Sequence, residues 1–195
     1  CFSFDGIKNI TCGEGGAVLS NDIDLINHVK DSRLLGVHKD TENRFKGNRS
    51  WDFDVYNQGF RYHMSNIMAS IGIIQLSRIN DFKTKRRAIV NLYINQLSDI
   101  ENINLFDLKY HEIIPHIFVI KVKKRDKLRQ FLKDNDIETG IHYKPNHLLT
   151  KYSCNNSLTV TEHLYKEILT LPIHFDLSEK EQYYVIEKIK SFYKA

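Results

Sequence analysis

Lys8 has the setting that most readily does chemistry. It stands between the aromatic-apolar segment Cys1-Phe2-Ser3-Phe4 and the glycine-rich stretch Gly13-Glu14-Gly15-Gly16. Partial burial in such a place favours the neutral form of an amine, and a neutral amine attacks carbonyl carbon. The pattern therefore allows Schiff-base chemistry as well as an ordinary solvated loop lysine. The glycines precede a strand rather than a helix, so no helix dipole is available for a phosphate, and a tight turn with close backbone packing is expected instead. Among the histidines, His147 follows Pro145-Asn146 on an expected loop, where its ring would be open to a ligand. His142, within Ile141-His142-Tyr143, could face solvent from a strand, and His116, at a strand start, is expected to be structural. No metal site is expected: His142 and His147 have no carboxylate or third histidine at ligand spacing, and HExxH is absent.

The elements that must hold these residues follow from periodicity. Gly15 to Ser20 reads as a short buried strand, and Asn21 or Asp22 can cap a helix with Ile23, Ile26, Val29 and Leu34 on its apolar side and Gly36 as its stop. Residues 37 to 58 read as a long loop carrying Lys39, Arg44, Lys46, Arg49 and Trp51. Met64, Ile67, Met68, Ile71 and Ile74 then fall at helical spacing, and Phe82, Ile89, Tyr93 and Leu97 continue the stripe. This predicts one long helix or two in tandem, with Lys83, Lys85, Arg86 and Arg87 on a solvated face.

Beyond residue 100 the pattern becomes strand, helix, strand, helix, which implies a second small α/β layer. Ile117 to Val122 is the strand rich in β-branched residues, Asp126 to Asn135 is amphipathic, and Glu138 to Tyr143 is a short strand candidate. Thr159 with Glu162 forms a capping-box pattern ahead of Leu164, Ile168 and Leu171. Ser178 with Glu181 repeats it ahead of a last helix carrying Val185, Ile189 and Phe192.

The composition excludes several classes. At 195 residues and 42% hydrophobic content the chain can build a core, and no apolar run approaches the ~20 residues of a membrane span. A net charge of +4 is mild and its basic residues are spread out, so nucleic-acid binding is not implied. Cys1, Cys12 and Cys154 form neither a disulfide framework nor a zinc knuckle, which points to a reducing compartment. Cys1 opens directly on an apolar run with no charged leader, so the chain is expected to start inside a longer protein. The last helix is expected to be a natural end.

Five segments, in order, resemble the DegT/DnrJ/StrS family of sugar aminotransferases: FSFDGIKNITCGEGGAV (2 to 18), GFRYHMSNIMASIGIIQL (59 to 76), HIFVIKV (116 to 122), ETGIHYKPNH (138 to 147) and LTLPIHFDLSEKE (169 to 181). The resemblance implies the fold of an α/β, aspartate aminotransferase-like transferase of fold type I, in its C-terminal portion. Residues 1–100 would close the cofactor-binding large domain and supply a long connecting helix; 101–195 would form the small domain. It implies pyridoxal 5'-phosphate (PLP) held on Lys8 and its phosphate contacted by Ser3. Arg61 or His63 would reach the neighbouring subunit's cofactor phosphate in a homodimer. Members often carry Asn and Arg, or Lys and Asn, at those two positions, and His63 could equally cap the helix after it. Tyr143 and His147 would border the sugar.

The implied activity is transfer of an amino group, from L-glutamate, to a nucleotide-linked keto-deoxysugar in surface polysaccharide or sugar biosynthesis, in the cytoplasm. Family members are considerably longer, so the chain alone is expected to bind PLP weakly and not to turn over. A related branch that deoxygenates sugars replaces the lysine by histidine, which Lys8 argues against. The alternative from another class is a non-catalytic remnant or interaction domain that keeps the fold.

Overall fold

The computed structural model describes residues 1–195 apart from 40–42, 44–45, 49–50, 155–156 and 195. Arg44 and Arg49 of the expected long loop therefore lie outside the described residues. The chain divides into two compact units, Cys1–Ile79 and Asn80–Ala195.

In the first unit, β1 (Phe2–Ser3) pairs antiparallel with β2 (Gly16–Ala17), Phe2 opposite Ala17 and Ser3 opposite Gly16. The expected buried strand from Gly15 to Ser20 shrinks to these two residues. It lies in a two-stranded sheet, and Leu19 is 73% exposed. Helix α1 (Ile23–Ser32) starts where the Asp22 side chain accepts the N–H of Leu25, which supplies one of the orphan donors of the first turn. The chain then folds back on itself. Phe60 and Tyr62 donate to Ser32 and Arg33 carbonyls, Leu34 bridges to Arg61, and Val37 bridges to Val55. Gly36 and Gly59 meet here so closely that a methyl group on Gly59 would overlap the backbone of Leu35 and Gly36. Helix α2 (Asn66–Ser77) is capped by Ser65, whose hydroxyl accepts the Met68 N–H, and it breaks at Arg78 before α3 (Ile79–Leu97). Two tandem helices, rather than one, is thus the outcome.

The second unit is built on a three-stranded antiparallel sheet in the order β3 (Ile103–Leu105), β4 (Phe118–Val122), β5 (Ile168–Leu171). Alternation on the central strand buries Phe118, Ile120 and Val122. Against them pack Ile89, Val90, Tyr93 and Leu97 of α3, Leu128 and Leu132 of α4 (Arg125–Lys133), and Val185, Ile186 and Ile189 of α6 (Glu179–Lys194). Each such side chain taken fully from water stabilises by about 1.5–3 kcal/mol. The Tyr93 ring stacks on Phe118 at 5.3 Å and its hydroxyl donates to the Pro172 carbonyl, so the one polar atom of that buried ring is satisfied. Because α3 carries much of this core, its residues from Asn80 onward group with the second unit.

Several expectations change here. Arg86 is not on a solvated face. It is 8% exposed and donates to the carbonyls of Pro115 and His116, while Arg87 donates to Ile113. The α3 stripe and the charged positions interleave, so one of the basic residues turns inward with the core. The helix expected through Leu171 ends as α5 (Thr159–Glu167), and the chain passes directly into β5. The Thr159 cap is not formed. Glu162 instead reaches back to the Leu158 N–H. At α6 the expected box is complete, with Glu181 accepting from the Ser178 N–H and hydroxyl, and Ser178 accepting from the Glu181 N–H.

Candidate active site

Residues 3 to 16 form a loop closed at its base by the β1–β2 pair. The Phe4 N–H donates to Gly15 O at 2.9 Å, and the Cys12 N–H and Thr11 hydroxyl both donate to Phe4 O at 3.1 Å. At the far turn the Asp5 N–H donates to Ser3 Oγ, Asp5 Oδ1 accepts the Ile7 N–H, and the Lys8 N–H donates to Asp5 O at 3.0 Å. Local bonds of this kind fix a turn without help from a sheet. They place Ser3, exposed, and Lys8, half-buried, on one ordered stretch.

Behind it Cys12 is buried. A Cβ at Gly72 of α2 would lie 3.7 Å from the Cys12 Cβ, and one at Gly15 would lie 2.7 Å from Met64 Cε. A Cβ at Gly16 would lie 2.7 Å from the Phe2 carbonyl oxygen. The glycine-rich stretch is a place of close packing, as its position before a strand predicts.

Arg61 and His63 are both exposed. Arg61 is held by its backbone bridge to Leu34. His63 lines a hollow of about 830 Å³ together with Phe2, Gly16, Val29, Arg33 and Met68. Neither Ser3 nor Lys8 lines this hollow. Ser65, not His63, caps α2, so the capping alternative for His63 is not the one realised. Arg33, which sequence reasoning passed over, has a buried Nε without a hydrogen bond among the described residues.

In the second unit the strand expected from Glu138 to Tyr143 is a single bridge, Gly140 to Thr170. His142 does not face solvent freely: its Nδ1 lies 2.9 Å from the Thr170 hydroxyl. Tyr143 is 62% exposed. His147 lies in a short 3-10 turn, Asn146–Leu148, with its side chain only 9% exposed and Nε2 at 3.0 Å from Glu162 Oε1. The open loop position expected for His147 is corrected accordingly. The His147 ring first, then the Leu158 N–H, and finally the charge of Lys166 hold the Glu162 carboxyl below the usual carboxylate range. Glu162 was legible only as a cap. The partner fifteen residues upstream leaves no mark in local spacing.

The profile of the DegT/DnrJ/EryC1/StrS aminotransferase family matches residues 1–190. The chain belongs to this family. A curated relative, the uncharacterized protein MJ1066 of Methanocaldococcus jannaschii, is 28% identical over 97% of this chain and 52% of its own length. Among solved structures, the putative sugar aminotransferase Spr1654 of Streptococcus pneumoniae, in its PMP form, superposes with a TM-score of 0.85 at 28% identity, covering 99% of this chain and 52% of that one. The sugar aminotransferase CalS13 of Micromonospora echinospora superposes with a TM-score of 0.85 at 26% identity, covering 97% and 50%.

The chain spans about half the length of the relatives it matches. Its α/β fold is that of about half of a fold type I transferase, and aminotransferases of this family depend on PLP, with relatives solved in both PLP and PMP forms.

Proposed function

We infer that the chain serves a PLP-dependent aminotransferase acting on a nucleotide-linked keto-deoxysugar, with L-glutamate as amino donor and a homodimer as the working assembly. The activity, the substrates and the subunit arrangement are all part of this reading, as is a cytoplasmic place in surface polysaccharide or sugar biosynthesis. The observation that carries it is the ordered loop presenting Ser3 and Lys8 in a chain whose family profile match runs through residue 190.

The donor set fits the cofactor. Ser3 Oγ accepts the Asp5 N–H, which leaves its own O–H free to donate to a phosphate oxygen. Lys8 makes no side-chain hydrogen bond or ion pair among the described residues, so its amine is available. When bound, PLP supplies an aldehyde that condenses with amines and a ring that withdraws the electron pair of the donor's α-carbon. In this reading Lys8 Nζ anchors the cofactor and takes the proton from that α-carbon, and Arg61 or His63 donates to a phosphate of the partner subunit's cofactor. Tyr143 and His147 belong to the sugar side. The chain alone supplies only part of the ring's contacts, so weak PLP binding and no turnover are expected of these 195 residues by themselves.

Reduction with borohydride in the presence of PLP, followed by peptide mapping, tests the anchor. A pyridoxyl label on the peptide carrying Lys8, absent in Lys8→Arg, is expected. Labelling confined to other lysines would overturn the assignment.

A further inference from the structure

The geometry points to His147 as a positioning residue, one that with Glu162 latches the segment from Tyr143 to Tyr152 onto the start of α5 and thereby sets where Tyr143 and Lys144 stand. The inference deepens, and rests on, the reading that this segment meets the sugar nucleotide.

Glu162 Oε1 accepts two bonds at once, from His147 Nε2 and from the Leu158 N–H, each at 3.0 Å. One carboxylate on the first turn of α5 therefore ties together the helix start and a turn fifteen residues upstream. An N–H given to an ionised carboxylate is among the stronger neutral-pH contacts, and an imidazole buried to 9% exposure would be costly without it. A direct ligand role for that nitrogen would require the ring to leave Glu162.

The same segment is fastened a second time, at its other end. Gly140 and Thr170 exchange both backbone bonds, at 3.0 and 2.8 Å, and the Thr170 hydroxyl meets His142 Nδ1. Between the two fasteners lie only Tyr143, Lys144, Pro145 and Asn146. Pro145 is buried and its carbonyl accepts the Leu148 N–H, whereas Tyr143 and Lys144 are exposed, the Tyr143 ring standing edge-on to His142 at 4.6 Å. His147, expected beside the sugar, and His142, expected to face solvent, are thus both fixings. The side chains they leave free are a phenol and an ammonium, groups suited to a ring-bearing, phosphate-bearing substrate.

Amide hydrogen exchange and steady-state kinetics together test this in wild type, His147→Ala, His147→Gln and Glu162→Ala. Loss of this part-buried charge-assisted bond should speed exchange of the amides from Asn146 to Tyr152 by roughly tenfold in His147→Ala and Glu162→Ala. Phe118–Val122 should remain protected, and His147→Gln, which keeps a donor, should recover most of the loss.

In the full-length enzyme that contains these residues, with a nucleotide-linked keto-deoxysugar and L-glutamate as probes, the same variants should raise KM for the sugar while kcat stays within about twofold, the signature of lost binding rather than lost chemistry. Unchanged exchange overturns the latch. Faster exchange with an unchanged KM overturns the placement of substrate contacts and leaves the aminotransferase reading standing. Absence of turnover in the wild-type full-length enzyme sinks that reading instead, and the latch is then decided by exchange alone.

Discussion

At the scale of single residues, Arg86 shows how an interior cation is kept with no carboxylate paired to it among the described residues. Burial pushes its guanidinium down from the usual arginine value, and its two bonds, both at 3.3 Å, go to the carbonyls of Pro115 and His116. These bonds hold the approach to β4, so Arg86→Ala is expected to destabilise the second unit by about 1–3 kcal/mol, the cost of leaving buried acceptors unpaired. Urea unfolding followed through the Tyr93–Phe118 region would show it as a lowered midpoint. A midpoint equal to wild type would mean that those carbonyls find other donors. Lys8, by contrast, is held entirely through its backbone, which is why its side chain can be exchanged for arginine as a labelling control without loosening the loop.

Among the elements, the ends of α6 and α5 make an instructive pair. At α6 the Ser178–Glu181 box is local and complete, and Ser178→Ala should cost about 0.5–2 kcal/mol of stability. The Ser178 hydroxyl first, then its N–H, hold the Glu181 carboxyl below the ordinary range. A depressed folded value means that the contribution is present above the unfolded carboxyl pKa and is lost as pH falls through the folded one. Glu181→Gln should therefore flatten part of the acid limb of a stability-versus-pH curve. Identical acid limbs in the two proteins would refute this.

The α6 box could be read from sequence because both partners lie within one turn, as could the faces of α4 and α6 and the alternation of β4, where burial follows the element's own period. Three other features could not. The run Ile168–Leu171 is as apolar as a helix continuation, and only pairing with β4 makes it a strand. Gly140 reaches Thr170 across thirty residues, and Glu162 spends its carboxylate on a distant imidazole. In the candidate site, the local loop around Ser3 and Lys8 was legible, and the fate of His142 and His147 was not, for the same reason.

For the molecule as a whole, burial is divided unevenly. The core cluster lies within the second unit, whereas in the first the buried apolar residues among those described are Cys12, Leu34 and Val37. Helix α2 has no buried residue although Ile67, Ile71, Ile73, Ile74 and Leu76 line it. In the 195-residue chain, amides of α1 and α2 are therefore expected to exchange far faster than those of β4 and α6, by several orders of magnitude in rate. Comparable protection in both units, measured by mass spectrometry, would contradict this ranking.

A consequence follows from the contact between Gly72 and Cys12 at the back of the Lys8 loop. Helix α2 passes behind that loop at position 72, where an added methyl group would stand 3.7 Å from the Cys12 Cβ, ordinary van der Waals range. Alanine is therefore accommodated there, whereas a branched or longer side chain would press on the back of the loop, so tolerance at position 72 depends on side-chain size although every residue of the loop is unchanged.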